Sequence, residues 1–243
     1  MSAGAARSRQ QGGVNERLLQ AVAEQMKLPL LQIARRAELA HLSGDHSLIE
    51  GIELTADSAL RLLDNYLLST KLARVDGSLQ LEPVSIAAVM NDTAHQLSRL
   101  ADQYECELEL HLSGRYAPVM AHRAGLEAAL ASLGYVFIEA QSTRPRKRRP
   151  TIKLAAHRSK NGIVAGMFAD IEGLSMDMYR RGRGLYGHAK QPLTQLVSTS
   201  GAGVFVADSL LQSMATRLRL AHHQKLSGLA ATFTPSNQLS LVR

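Results

Sequence analysis

Four stretches of the chain hold residues whose types could do chemistry. Glu24-Gln25-Met26-Lys27-Leu28-Pro29-Leu30 places a carboxylate, an amide and an amine just before a proline. Phe168-Ala169-Asp170-Ile171-Glu172-Gly173-Leu174 ends an apolar run on two carboxylates and a glycine, and Thr199-Ser200-Gly201-Ala202-Gly203 is a glycine-rich turn entering a helix. Arg144-Pro145-Arg146-Lys147-Arg148-Arg149-Pro150 concentrates five positive charges. Such a run is either a solvated loop or a patch that contacts phosphates with salt-dependent, largely sequence-independent affinity. His95, His111, His122, His157, His188, His222 and His223 are scattered along the chain without a nucleophile-base-orienter pattern or metal-ligand spacing. His41 and His46 read as solvated loop residues. The one cysteine, Cys106, alternates with Leu108, Leu110 and Leu112, which predicts a buried strand residue rather than a reactive thiol.

The elements that must position these residues begin with a helical hairpin over 14–75. Leu19, Ala23, Met26, Leu30, Ile33, Ala37 and Ala40 recur at alternating spacings of four and three, the seam of a coiled-coil-like helix. Ile49, Ile52, Ala56, Ala59, Leu63 and Tyr66 repeat the pattern, and Leu48, Leu60, Leu62, Leu67 and Leu68 widen the apolar surface beyond one seam. Two antiparallel helices cannot cover that much apolar surface alone. A second copy completing a four-helix bundle can, so a homodimer is expected. Ser43-Gly44-Asp45-His46-Ser47 makes the turn, with Gly44 ending one helix and Asp45 or Ser47 capping the next. Pro29 removes a backbone donor inside the first arm and should kink it.

Residues 1–13 are polar and small and read as a disordered lead, with no apolar core of a signal peptide. No apolar run approaches the roughly 20 residues of a membrane span, so the expected compartment is the cytoplasm. At 243 residues, 45% hydrophobic and 20% charged, the composition is that of an ordinary globular protein. One cysteine excludes a disulfide framework and a Cys-rich metal site. A net charge of +7 favours an anionic partner without naming one. With no tryptophan and 4% aromatics, the chain is poor in the stacking residues of RNA-reading surfaces.

A second domain is expected over 76–243. After Asp76-Gly77, Leu79 and Leu81 alternate as a short strand, and Ser85 is placed to cap a helix running from Ile86 to Tyr104. The pattern then predicts a strand over Glu105–Leu112, a short strand near Pro118–Ala121, an apolar-rich helix over Ala124–Ala140, and paired strands over Thr151–Arg158 and Ile163–Ala169. An irregular Gly- and Arg-rich stretch runs from Gly173 to Ser200 and includes Arg180, Arg181 and Arg183. A helix from Gly203 to Met214 and strands over Arg217–His222 and Leu229–Thr234 follow, with Leu239–Val242 as a further edge. An antiparallel sheet with helices on one side makes the fold class α+β, an α/β sandwich.

In this order the elements resemble a histidine kinase of two-component systems: a dimerisation and phosphoacceptor hairpin followed by a GHKL-type, Bergerat-like ATPase domain. Glu24 to Leu30 is similar to the family's His-Glu-x-x-x-Pro-Leu, with Glu24 at the phosphorylated histidine and Gln25 at its acidic neighbour. Leu79-Gln80-Leu81-Glu82-Pro83-Val84-Ser85-Ile86 resembles the family's link between its two parts, and Lys225 to Phe233 its closing turn and strand. The resemblance implies a nucleotide site, and this sequence departs from it. Registering Leu126, Leu130 and Leu133 on the family's leucines puts Ser132 and Val136 where two asparagines stand, the second of which holds Mg²⁺, and Glu139 at a phosphate-side lysine. Valine offers no lone pair to a hard cation. Asp170 matches the family's adenine-binding aspartate and Gly173 one of its glycines, out of step, with Glu172 at the first glycine position. Gly201 and Gly203 match the first two glycines of the phosphate-binding turn, and Phe205 stands at the third.

Losing the phosphoacceptor or the magnesium ligand alone would cripple phosphoryl transfer. The resemblance therefore implies a degenerate histidine kinase without kinase activity or cofactor, its vestigial site open at most to ATP or another nucleotide without Mg²⁺. Such a protein would act as a dimeric adaptor that presents Glu24, Gln25, Lys27 and Leu28 to a response-regulator receiver domain or another kinase; that Glu24 imitates the charge of a phosphohistidine is a separate, minor idea. The alternatives are a nucleic-acid-binding regulator using Arg144, Arg146, Lys147, Arg148 and Arg149, and an atypical nucleotide-binding or phosphotransfer protein.

Overall fold

The computed structural model describes residues 2–73, 79–142, 148–171 and 201–236, the side chains of 2–18, 20, 21, 24, 47, 142 and 201 excepted. Two helices, α1 (Ser2–Ser43) and α2 (Ser47–Ala73), form the hairpin that the two apolar seams predict. Of the expected disordered lead, residues 2–13 instead continue α1. Ala3, Ala5, Ala6, Arg7 and Arg9 are good helix formers, and extending a helix that already exists costs far less than nucleating one. Pro29 lies inside α1, which runs on through it. At the tip Gly44 takes φ of 69° and donates its N–H to Ala40 O, closing the C-terminus as expected. Arg36 on α1 donates through Nη1 to Gly51 O and to Thr55 Oγ1, 2.9 Å away, and so ties the arms together. Val22, Ala59, Leu62, Tyr66 and Leu72 are buried, whereas Leu30, Leu31, Leu60 and Leu67 are more than half exposed.

The chain then enters a sandwich. β1 (Glu82–Val84) pairs antiparallel with β3 (Val119–Ala121), three residues beyond the strand expected at Leu79 and Leu81; those leucines pack against the core instead. α3 (Ile86–Gln103) starts at Ser85, whose Oγ accepts from Ala88 N as a cap. β2 (Glu107–Leu112), α4 (Arg123–Ser142), β4 (Thr151–Ser159), β5 (Gly162–Ala169), α5 (Gly201–Ser213), β6 (Arg219–His223) and β7 (Leu226–Phe233) complete the order. Expected Leu239–Val242 lies outside the described residues.

The five-stranded sheet has the order β2-β4-β5-β7-β6. It is mixed, where an antiparallel sheet was expected: β2 pairs with β4 in parallel, Glu107 opposite Thr151 and Leu112 opposite Ala156. Between these strands the chain returns through β3 and α4, a crossover that brings β4 in alongside β2 in the same direction. Leu108, Leu110 and Leu112 face the helices, as does Cys106, which is buried as its alternation predicts.

α3 and α4 lie on the sheet, α5 packs on α4, and α2 packs on both α5 and α4. This stacking leaves α4 covered around nearly its whole circumference, with Leu126, Leu130, Leu133, Val136, Phe137 and Ile138 all buried. A helix apolar on every side is stable only in such a place. Among the described residues no helix is long and apolar enough to cross a membrane.

Candidate functional site

α4 and the start of α5 bring together the residues that register with the family's nucleotide site. Val136 is fully buried, and the first turn of α5 rests on it so closely that a β-carbon on Gly203 would lie 2.6 Å from Val136 Cγ2 and 3.2 Å from Ser132 O. Only glycine admits that approach. Ser132, also buried, has its hydroxyl turned to the hairpin: Asn65 on α2 donates through Nδ2 to Ser132 Oγ at 3.0 Å and lies 3.4 Å from Ala128 O.

A narrow cleft remains where the hairpin meets the sandwich. Gln25, Leu28 and Pro29 of α1 line one side, Ala59 and Leu62 of α2 another, and Tyr104, Tyr135, Val136 and Glu139 the floor. Its volume is about 40 Å³. That is room for a few water molecules, against the roughly 300–1,000 Å³ of a site for a nucleotide-sized ligand. Gln25 Oε1 is buried there with no partner in the protein, a group that water can satisfy. Burial pushes the Tyr104 phenol above its usual pKa, and Glu139 nearby pushes it further. Tyr135 is likewise raised, chiefly by burial. Both phenols are therefore neutral hydrogen-bonding groups here, not proton carriers.

The remaining expected site residues are dispersed. Asp170 follows β5 with its side chain exposed, and its backbone oxygen accepts from Gln141 Nε2 at 3.1 Å. Gly201 opens α5. Gly173, and with it Glu172, lies outside the described residues, as does the Glu24 side chain. Lys27 and Leu28 are exposed on α1, and Gln25 is partly buried. Of the basic run, Arg148 and Arg149 are exposed; Arg144, Arg146 and Lys147 lie outside the described residues, as do Arg180, Arg181 and Arg183. Among the described residues no group of His, Cys, Asp and Glu is placed to hold a metal ion.

Sequence reasoning missed Asn65. The signal was available: Leu62, Tyr66 and Ser69 are among the buried positions of α2, and Asn65 stands beside them, a polar residue where a leucine would be ordinary.

No protein-family model matches the chain, and no curated protein matches it. Solved structures do. The chain is similar to the Acinetobacter baumannii histidine kinase AdeS at 13% identity and a TM-score of 0.54, over 87% of this chain and 97% of that one. It is similar to full-length ShkA in complex with AMPPNP at 15% identity and 0.55, over 91% and 46%. It is also similar to the histidine kinase ThkA in complex with the response regulator TrrA at 10% identity and 0.58, over 93% and 64%. At these identities the likeness is one of architecture, and the architecture is shared: the chain has the histidine kinase fold, a helical hairpin followed by a GHKL-type α/β sandwich.

Proposed function

We propose that the chain is a histidine kinase-like signalling adaptor that has lost phosphoryl transfer, dimerises through α1 and α2, and docks on a receiver domain or a partner kinase. The observation that carries this reading is the state of α4. A helix that holds Mg²⁺ and a triphosphate needs a polar face open to solvent, and here that face is Val136 against Gly203 and Ser132 bonded to Asn65. Val136 offers no oxygen to a hard cation, and the Ser132 hydroxyl is turned to Asn65 instead. Together with a glutamate where the phosphorylated histidine would stand, both ends of the transfer are absent.

What is left is surface. Leu30, Leu31, Leu60 and Leu67 keep apolar area on the hairpin that a second copy would cover. ThkA is described in complex with a response regulator. By analogy, the Glu24–Leu28 stretch is the natural place for a receiver domain here, with Lys27 and Leu28 exposed on it. Calorimetric titration of the chain with ATP at low salt, with and without Mg²⁺, tests the reading. It expects no heat up to millimolar nucleotide; Mg²⁺-dependent binding would overturn it.

A further inference from the structure

The histidines that look scattered in the sequence meet on the outer face of the sheet, the face away from the helices and the hairpin. The turn between β6 and β7 curls over that face and lays His223 on β4 and β5. Its ring stacks on His157 with centroids 5.6 Å apart, lies 5.3 Å from Phe168, and meets His111 edge-on at 5.6 Å. His223 is only 7% exposed. Ala155, Phe168 and Ala230 form a small apolar cluster beneath it, with Ala221 and Leu226 of the turn's two strands packed on it.

Among the described residues, the charged or titratable groups on this face of the sheet are few, and the strand that carries His223 adds only the exposed Arg219. β2 brings Glu107, Glu109 and His111; β4 brings Lys153 and His157; β5 and β7 bring none on this face. The turn itself carries His222 and Lys225. Glu107 is occupied by Thr151 Oγ1 at 3.3 Å. Glu109 Oε2 is shared by His111 Nε2 at 3.1 Å and Lys153 Nζ at 3.0 Å, so the one carboxylate close to the rings already has two partners. Lys153 also donates to Gln224 Oε1 at 3.1 Å, and Gln224 holds φ of 57° at the apex. His222 Nδ1 meets Ser227 Oγ at 3.3 Å.

The hydrogen bookkeeping between the rings is restrictive. With His111 Nε2 on Glu109, His111 Nδ1 is the acceptor and His223 Nε2–H donates to it at 3.4 Å, so a proton taken up by His223 goes to its other nitrogen and charges a ring packed against His157 and His111. His157 Nδ1 is buried with no partner, so a proton arriving there finds no acceptor.

We propose that the β6–β7 turn is a pH-sensitive clasp, closed over the sheet while His223 is neutral and released when His223 takes up a proton. Burial, and then the proximity of His157, His111 and Lys153, hold the His223 pKa below its usual 6.5 in the closed form. The closed form thus binds fewer protons than the open one. Closure is complete above the ordinary imidazole pKa and is lost as pH falls below it, toward the depressed value. Ser227 pairs with Ala169, so release reaches the end of β5 that leads into Asp170.

Amide hydrogen exchange on the 243-residue chain tests this, with rates at 222–227 corrected for the intrinsic effect of pH. Protection there should fall between pH 7.5 and 5.5, by up to about tenfold at one unit below a free imidazole's pKa, while α2 amides keep theirs. His223→Phe keeps a ring on His157 and should abolish the pH dependence. Carbon-13 shifts of the His223 imidazole provide a second readout that needs no variant: the ring should remain neutral at pH values where a free imidazole is mostly charged. A pH-independent wild type, a His223→Phe chain with the wild-type dependence, or a His223 ring that titrates like a free imidazole would each overturn the clasp.

Discussion

Asn65 Nδ2 on α2 donates to Ser132 Oγ on α4 across 3.0 Å, and this bond occupies the hydroxyl at the very position where the family resemblance places an asparagine. The contact couples the hairpin to the sandwich through a buried hydroxyl. Removing it should weaken that coupling without disturbing either part.

Asn65→Ala should therefore cost about 1–3 kcal/mol, because buried Ser132 loses its donor from α2. Urea unfolding of Asn65→Ala, Ser132→Ala and the double variant measures it. A coupling energy near zero in that cycle would mean that the bond contributes nothing in solution.

Gly203→Ala should cost about 1–3 kcal/mol by overpacking, since its β-carbon would press on Val136 Cγ2. Val136→Ala removes that methyl and should recover part of the loss, so the two changes together should be less damaging than their sum. Thermal unfolding of the single and double variants distinguishes this from a backbone requirement for glycine, which Val136→Ala would leave untouched.

How much of this was legible in the sequence depends on the distance over which the physics acts. The two seams from Leu19 to Ala40 and from Ile49 to Tyr66 announce the hairpin because helix periodicity is local, and Ser85 announces the start of α3 for the same reason. Parallel pairing of β2 with β4 was not legible, since the residues of β2 carry no mark of their partner's direction. Leu79 and Leu81 alternate as a strand would, yet backbone pairing falls on Glu82–Val84, where β3 happens to lie. In the site, leucine spacing was enough to suggest a register for Val136, but its contact with Gly203 and the Asn65–Ser132 bond join segments far apart in the chain. His111, His157 and His223 look scattered in the sequence because no spacing rule foresees a turn folding over the face of a sheet.

If the adaptor reading holds, Glu24→His alone should not confer phosphoryl transfer. Glu24→His, incubated with radiolabelled ATP and Mg²⁺, should carry no acid-labile phosphate above the level of the unaltered chain, because Val136 offers no metal ligand and the Ser132 hydroxyl is bonded to Asn65. Labelling of Glu24→His would overturn that reading.

Leu60→Glu with Leu67→Glu places two charges on the exposed apolar stripe of α2. If a second copy covers that stripe, dimer affinity should fall at least about a hundredfold, because four leucine side chains, two from each copy, lose their burial. Sedimentation velocity over a concentration series reads the change. A chain that is already monomeric, or a variant that sediments unchanged, places the dimer contact elsewhere or removes it.

The pairing of β5 with β7 sets an order of events in folding. Ile163 pairs with Phe233, near the end of the described chain, and among the described residues β6 joins the sheet only through β7. The hairpin closes over a turn a few residues long, between helices whose partner surfaces are adjacent in sequence. Contacts of short range form fast and those of long range wait on loop closure, so α1 and α2 can associate while most of the sheet is still unpaired. During synthesis the surface that would bring two copies together is then complete before the sandwich is, and assembly can run ahead of folding.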